Sequence, residues 1–130
     1  MKAIVVKDQA AGTAGMTLVE RPEPKGAIND VVVQVRASGF VPTELTWPST
    51  WTDRLDRDRT PSIPGHELAG VVTALGYGTT GLTVGQRVLG VADWYRDGTL
   101  AEYVAIEARN SRRCRATSTS RWARACRSRD

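Results

Sequence analysis

Residues 64–88, PGHELAGVVTALGYGTTGLTVGQRV, decide the fold of this chain. The run LAGVVTAL at 68–75 is short, apolar and rich in β-branched residues, and this composition predicts a buried strand. Gly76, Gly78 and Gly81 follow, and glycine accepts the positive φ angles that tight turns require. The segment VGQRV at 84–88 restarts a strand pattern. The stretch therefore predicts two strands joined by a glycine-rich turn, and it also contains His66, the single histidine of the chain.

Further strands are predicted on both sides of this stretch. The segment DVVVQVRA at 30–37 alternates, so that Val31, Val33 and Val35 point to one face of a strand. Shorter apolar runs predict strands at 3–6, 16–20, 88–92 and 99–106. The segment at 40–45 predicts the start of a short helix, and 47–60 predicts an exposed loop. Many closely spaced short strands indicate a mainly β fold, a partly open β-barrel with short helices.

Length and composition limit the class of protein. A chain of 130 residues with 41% hydrophobic residues fits one domain with a buried core. No apolar run is long enough to cross a bilayer, and the start, MKAIVVKDQA, lacks the apolar region and cleavage site of a secretory signal. We therefore expect a cytoplasmic protein without membrane contact.

The positive charge of the chain is confined to its last twenty residues. Residues 1–110 contain 11 Lys and Arg against 13 Asp and Glu, a net charge of −2, whereas residues 111–130 contain seven Arg and one Asp, a net charge of +6. Both cysteines, Cys114 and Cys126, lie in this Arg-rich tail and fall far short of a zinc-binding set.

Three interpretations of the Arg-rich tail stay open. It is a disordered basic segment, a nucleic-acid-binding arm that uses Arg–phosphate contacts, or a stretch encoded out of frame. With serine as TCN, arginine as CGN and one base missing before codon 111, the restored frame turns the Ser, Cys and Trp positions into aliphatic residues or Phe. We expect an out-of-frame or disordered tail, and nucleic-acid binding is the least favoured interpretation.

Several motifs resemble those of the medium-chain dehydrogenase/reductase superfamily. They are the GHE triplet at 65–67, followed by Gly70-Val71-Val72, the GxRV pattern at 85–88, MKAIVV at the start, VVVQVRASGF at 31–40 and GTLAEYV at 98–104. Their order is similar to that of the amino-terminal GroES-like substrate domain of this superfamily. The resemblance covers roughly residues 1–110 and implies a partly open barrel that binds a small-molecule substrate.

The run GFVPTE at 39–44 indicates whether the domain binds a catalytic zinc ion. The zinc-dependent branch of the superfamily has Gly-x-Cys-His-Thr-Asp here, so that Val41 stands at the position of the zinc-binding cysteine. Zinc sites use three Cys, His, Asp or Glu ligands, and His66 and Glu67 are only part of such a set. The run is more similar to the Gly-Val-Asn-Pro-x-Asp of the zinc-free quinone oxidoreductase branch. This resemblance implies no zinc, and hydride transfer from NADPH to a quinone, enone or carbonyl substrate.

The resemblance also assigns candidate site residues. The expected substrate pocket contains Phe40, Val41, Trp47, Trp51 and Trp94. Val41 and Pro42 are expected to face the nicotinamide, and Thr43 matches a proton-relaying hydroxyl or serves as a helix cap. The motif residues are Gly65, His66, Glu67 and Gly70. Two alternatives stay open: the tryptophans cover the core instead of a pocket, and His66 is a buried residue whose ring nitrogens are satisfied by hydrogen bonds.

A nucleotide-binding loop is not evident in these 130 residues. Dinucleotides are held by a glycine-rich loop between a strand and a helix, whereas the glycines at 76–81 lie between two strands. We therefore expect the chain to bind no NADPH by itself and to be inactive alone. The competing hypothesis is a non-catalytic GroES-like binding or assembly module that forms homo-oligomers through its edge strands.

Overall fold

Two antiparallel sheets form the framework of residues 1–114, the part of the chain that the computed structural model describes. The smaller sheet pairs β1 (Lys2–Val5) with β2 (Thr17–Glu20). The larger sheet contains β3 (Asp30–Gly39), β4 (Glu67–Leu75), β5 (Arg87–Val91), β6 (Tyr103–Glu107) and β7 (Ser111–Arg113). Its strand order is β6-β3-β4-β5-β7.

Helical structure is limited to short segments. One α-helix, α1 (Pro48–Trp51), has four residues. The 3₁₀ segments are Gln9–Gly15, Pro42–Thr46 and Ala108–Asn110. Isolated bridges join Ala3 of β1 to Ala101, which precedes β6, and Val6 to Ser62, which precedes β4. The two sheets do not close into a complete barrel within residues 1–114. The predicted mainly β, partly open architecture is confirmed. No helix in this part of the chain is long and apolar enough to cross a membrane.

The centre of the fold is the pairing of β3 with β4. Apolar side chains from the larger sheet and its connections form the main core: Val31, Val33, Leu68, Val72, Leu82, Val88, Ala92, Val104 and Ile106. The two strands approach so closely at Gly70 that a Cβ atom there would overlap the Gln34 carbonyl oxygen. The motif glycine at position 70 is thus required by strand packing. The alternation predicted for 30–37 holds for Val31 and Val33, whereas Val35, beside a register shift against β4, is only half-buried.

The exposed loop predicted at 47–60 is wrong for its first residues. Pro48 begins α1, where its fixed φ angle suits the first turn and its missing N–H costs no hydrogen bond. Trp51 is 9% exposed and packs with Val6 and Leu45 in a second core cluster. Residues of this segment are buried because a long-range contact with the end of β1 covers them, and local sequence carries no signal for such a contact.

The sheet continues past the boundary predicted at residue 110. Ser111–Arg113 form β7, which pairs antiparallel with β5, so the first three residues of the predicted tail belong to the folded unit. Cys114 is the last described residue, and residues 115–130 of the predicted tail lie outside the described residues, so their out-of-frame or disordered nature stays a prediction.

Candidate functional site

A cavity of about 250 Å³ opens where β3 ends and β4 begins. Most of the lining is apolar or aromatic, and three titratable side chains, Glu44, His66 and Glu67, complete it. The full lining is Gly39, Phe40, Val41, Glu44, Trp47, His66, Glu67, Val91 and Trp94. The volume is slightly below the range of about 300–1,000 Å³ typical of small-molecule sites. The cavity therefore suits a small ligand with a largely apolar surface.

The turn after β3 places Glu44 at the inner wall of the cavity. Pro42 starts the 3₁₀ segment, and the Glu44 N–H donates to the Val41 carbonyl at 2.9 Å. The Glu44 carboxyl then turns back, and its Oε2 accepts the Val41 N–H, also at 2.9 Å. This reciprocal pair of hydrogen bonds fixes the carboxyl below the lip formed by Val41, which is itself 52% exposed.

His66 lies opposite Glu44, one residue before β4. Its carbonyl accepts the Ala92 N–H at 2.7 Å, which fixes its backbone against the end of β5. His66 Nε2 lies 3.4 Å from Glu44 Oε1, and the two side chains are 8% and 5% exposed. Among the residues that the structure describes, no group forms a hydrogen bond with Glu44 Oε1 or His66 Nδ1. The alternative of a histidine whose ring nitrogens are satisfied by hydrogen bonds therefore finds no protein partner for Nδ1 within residues 1–114, and it stays a prediction.

Burial favours the neutral forms of both groups. Burial raises the pKa of the Glu44 carboxyl above its ordinary value. Burial, reinforced by the positive charge of Arg59, lowers the pKa of the His66 imidazole. Both shifts follow from the cost of placing a charge away from water. The Glu44 carboxyl therefore holds a proton to higher pH than an exposed glutamate does, and the His66 imidazole stays neutral to lower pH than an exposed histidine does.

Aromatic rings form one wall of the cavity. The Trp47 ring stacks on His66 with centroids 5.7 Å apart and an interplanar angle of 18°. The Trp47 ring also contacts the Trp94 ring, with centroids 5.4 Å apart and an interplanar angle of 46°. Trp94 is 56% exposed and forms the outer end of this row of rings. Indole rings present large flat surfaces, which suit the packing of a flat ligand.

Three of the predicted substrate, catalytic and cofactor residues do not line this cavity: Trp51, Thr43 and Pro42. The Trp51 side chain is buried in the second core cluster, and its Nε1 donates to the Leu45 carbonyl at 2.8 Å. Thr43 is exposed, and its carbonyl accepts the Thr46 hydroxyl at 2.6 Å. The 3₁₀ segment is capped at Val41 and not at Thr43, so the capping alternative is wrong, whereas the proton-relaying role of Thr43 stays a prediction. Pro42 is exposed beside the cavity.

The backbone conformation at position 65 explains why the GHE triplet begins with glycine. Gly65 adopts φ +90°, a conformation that side-chain-bearing residues rarely take, and a Cβ atom there would lie 2.6 Å from Thr99 Oγ1. The turn at Gly65 brings His66 from the preceding segment into the cavity wall. Glu67, the last member of the triplet, is exposed at the rim, where it pairs in register with Val91 of β5.

The donor atoms at the cavity do not fit a zinc ion. Val41 offers no ligand atom, and within residues 1–114 no group of three or more His, Cys, Asp or Glu side chains is arranged to hold a metal. A protein zinc site needs at least three such ligands. The described residues do not fit a dinucleotide either, because the glycines at 76–81 connect β4 to β5 and precede no helix.

Glu44 and Val91 are cavity residues that sequence reasoning missed. Glu44 stands three residues after Val41, a spacing that brings both to the same side of a helical turn, and this signal was available. Val91 had no such signal, because it reaches the site only through the pairing of β5 with β4.

Fold and site together define the GroES-like domain of the dehydrogenase/reductase class. The family model of the alcohol dehydrogenase GroES-like domain matches residues 27–115, and the chain belongs to this family. The predicted membership of the medium-chain dehydrogenase/reductase superfamily is thereby confirmed.

Two curated relatives show how far the similarity extends. L-Threonine 3-dehydrogenase of Saccharopolyspora erythraea is 40% identical over 91 residues, which cover 69% of this chain and 25% of that protein. Acryloyl-coenzyme A reductase of Metallosphaera sedula is 31% identical over 99 residues, which cover 76% of this chain and 28% of that protein. The chain thus spans little more than a quarter of the length of these relatives.

Two solved structures share the fold. The quinone oxidoreductase of Coxiella burnetii has a TM-score of 0.76 at 22% identity, over 95% of this chain and 39% of that chain. The cobalt- and zinc-bound thermostable alcohol dehydrogenase of Pyrobaculum aerophilum has a TM-score of 0.74 at 24% identity, over 89% of this chain and 42% of that chain. At these identities the likeness shows the fold alone.

Proposed function

We propose that this domain is the substrate domain of a zinc-free, NADPH-dependent oxidoreductase that reduces a small, flat quinone, enone or other carbonyl compound. The observation that carries the proposal is the apolar cavity with the buried Glu44–His66 pair at its inner wall. Carbonyl reduction requires a hydride and a proton, and the nicotinamide supplies the hydride when it is bound. When the Glu44 carboxyl is protonated, it donates a hydrogen bond to the substrate oxygen, and its raised pKa extends the pH range in which it does so.

The residues at the lip of the cavity are compatible with the predicted position of the nicotinamide. Val41 and Pro42 are exposed next to the opening, so an apolar surface is available where the nicotinamide is expected. Because the described residues hold no dinucleotide loop, we propose that the 130-residue chain by itself does not transfer hydride from NADPH. Consumption of NADPH that depends on this chain and on an added quinone contradicts this part of the proposal.

The cavity lining favours a carbonyl compound over an amino-acid substrate. An amino acid carries a carboxylate, and carboxylates in binding sites are paired with Arg, Lys or several N–H donors. No Lys or Arg is among the described residues that line the cavity. The similarity to L-threonine 3-dehydrogenase therefore supports the family but not threonine as the ligand of this chain.

Calorimetric titration of EDTA-treated protein tests the proposed substrate class. The ligands are duroquinone, whose fully substituted ring does not add thiols, 2-cyclohexenone and L-threonine. We expect saturable binding of the first two and none of threonine. A Val41→Asp variant, which places a charge at the lip, is expected to weaken binding. Val84→Asp is the matched control, because Val84 is 62% exposed and lies outside the cavity.

Two results of this experiment contradict the proposal. One is binding of threonine in preference to both carbonyl compounds. The other is one equivalent of zinc retained after EDTA treatment, together with ligand binding that depends on that zinc. Either result favours a metal-dependent, alcohol-oxidising function for this domain instead.

The second candidate function is a non-catalytic binding or assembly module. The larger sheet ends in β6 on one side and β7 on the other, and sheet edges are surfaces through which copies of a chain pair. Size-exclusion chromatography with light scattering separates the candidates. A stable oligomer that binds none of the carbonyl ligands favours the module.

A further inference from the structure

The segment that carries Trp94 is attached to the rest of the fold by arginine side chains. It connects β5 to β6 and contains no regular structure from Asp93 to Asp97. Arg54 Nη2 donates to Asp93 Oδ2 at 3.1 Å, and the Arg54 guanidinium lies 4.4 Å from the Tyr95 ring centroid. At its other end Arg96 pairs with the buried Asp30. These contacts fix both ends of the segment but do not touch Trp94.

Arg59 contacts the middle of the segment. Its Nη1 donates to the Trp94 carbonyl at 3.1 Å and also to the Ser49 carbonyl in α1. Its Nη2 lies 3.6 Å from Asp97 Oδ1, and the Arg59 side chain is only 12% exposed. One planar guanidinium therefore bridges α1 and the segment through three acceptors. A lysine ammonium is a point charge without this fork geometry.

The position of the Trp94 ring needs such an anchor. Trp94 is 56% exposed, so burial alone does not fix it. Its ring nevertheless packs against Trp47 with centroids 5.4 Å apart. Within residues 1–114, the side chain that holds the Trp94 main chain by a hydrogen bond is Arg59. The guanidinium is therefore placed to hold the main chain that carries the indole.

We propose that Arg59 is a positioning residue that holds Trp94 against Trp47 and thereby makes the cavity selective for flat rings over flexible aliphatic compounds. The ring selectivity rests on the proposed carbonyl-binding function, whereas the positioning of Trp94 does not. Arg59 touches no ligand: it acts on the site through the Trp94 main chain. Without it, the outer wall of the cavity loses its fixed distance from Trp47.

The test uses variants that separate the fork from the charge. Arg59→Lys keeps the charge and the aliphatic stem and loses the fork, and Arg59→Ala removes both. Arg57→Lys and Arg57→Ala are the matched controls, because Arg57 is on the same segment of chain, is 72% exposed and pairs locally with Asp53. Trp94→Phe identifies the spectroscopic signal.

Two readouts are measured on the full 130-residue chain. The first is the exciton couplet that two neighbouring indoles give in circular dichroism, which reports the Trp47–Trp94 geometry without any ligand. The second is the ratio of dissociation constants for duroquinone and the flexible ketone 2-pentanone. Urea unfolding confirms that each variant is folded.

We expect Arg59→Lys and Arg59→Ala to lose the couplet, as Trp94→Phe does, and the preference for duroquinone to fall about threefold to tenfold, the equivalent of one lost aromatic contact. Both Arg57 variants are expected to keep the couplet and the preference. An unchanged couplet in both Arg59 variants, or full rescue by Arg59→Lys, overturns the proposal. A third outcome separates the two proposals. If the Arg59 variants lose the couplet but the wild-type chain binds no duroquinone, the positioning of Trp94 is supported and the proposed function is overturned.

Discussion

Replacing Asp30 by Asn tests whether one buried ion pair ties the start of β3 to the segment that carries Trp94. The Asp30 side chain is 3% exposed, and its Oδ2 and Oδ1 accept from Arg96 Nη2 and Nη1 at 2.5 and 3.0 Å. Oδ2 also accepts the Ala27 N–H at 3.0 Å. The hydrogen bonds from Arg96 lower the pKa of Asp30 below its ordinary value of 3.8, so the carboxylate is ionised at neutral pH.

The expected cost of Asp30→Asn follows from what the substitution leaves behind. An asparagine side chain has the same shape and keeps one oxygen acceptor, but it removes the charge that balances Arg96. Loss of one partner from a buried pair costs about 3–5 kcal/mol. Arg96 is 31% exposed, so water partly compensates its charge, and we expect a loss at the lower end, about 3 kcal/mol. That is a large share of the roughly 5–15 kcal/mol that stabilises a typical domain.

Urea unfolding followed by far-ultraviolet circular dichroism measures this loss. Arg109→Gln is the control, because Arg109 is 80% exposed in its pair with Glu107, and exposed pairs contribute less than about 1 kcal/mol. The difference between wild type and Asp30→Asn also depends on pH. Because the pKa of Asp30 is lower in the folded state, its contribution is present above its ordinary pKa of 3.8 and is lost as the pH falls below that value.

Two results refute this reasoning. One is a loss below about 1 kcal/mol for Asp30→Asn at neutral pH, which places the pair in the same class as an exposed one. The other is a difference between wild type and variant that stays constant as the solution is acidified through the ordinary pKa of an aspartate.

Three further predictions concern the backbone and the cavity. Gly65→Ala places a Cβ atom at a positive φ and against Thr99, and it is expected to lower the free energy of unfolding in urea by about 2–4 kcal/mol. Gly81→Ala has a positive φ but open space around the Cβ atom, and the expected loss is only about 1–2 kcal/mol. Equal losses in the two variants contradict the close contact at Gly65. Trp51→Ala is expected to destabilise the fold by about 3–5 kcal/mol, while Trp94→Ala weakens duroquinone binding with little change in the urea midpoint, and calorimetry beside unfolding checks the contrast. Burial raises the pKa of Glu44, so the free energy of unfolding of the wild type is expected to fall as the pH rises from 4.5 through the shifted pKa. Glu44→Gln is expected to remove this fall. If the free energies of unfolding of wild type and variant change with pH in parallel, Glu44 does not have the raised pKa of a buried acid.

The β framework was predictable because its signals are local. The apolar run at 68–75 and the glycines after it encode β4 and the turn that follows, and the structure extends that strand by one residue to Glu67–Leu75. The helix α1 was not predictable, because four residues beginning with Pro48 carry no period. Its last residue, Trp51, is buried in a cluster with Val6, which is far away in sequence.

The candidate site was predictable only in part, for the same physical reason. Phe40, Val41 and Trp47 lie on one short stretch, so the motif places them together. The contacts of His66 with Glu44 and of Trp47 with Trp94 join residues that are distant along the chain. Neither the stacking partner of a tryptophan nor the missing hydrogen-bond partner of His66 Nδ1 is encoded in a local pattern, and both depend on strand register.

The most direct test of the proposed function is to follow the indole N–H resonances of the chain while EDTA-treated protein is titrated with duroquinone. We predict that the Trp47 and Trp94 resonances shift together and saturate, because both rings line the cavity. The Trp51 resonance stays in place, because its indole N–H is buried against the Leu45 carbonyl. Absence of a saturable shift at Trp47 and Trp94, or a shift that requires added zinc, contradicts a metal-free carbonyl-binding site.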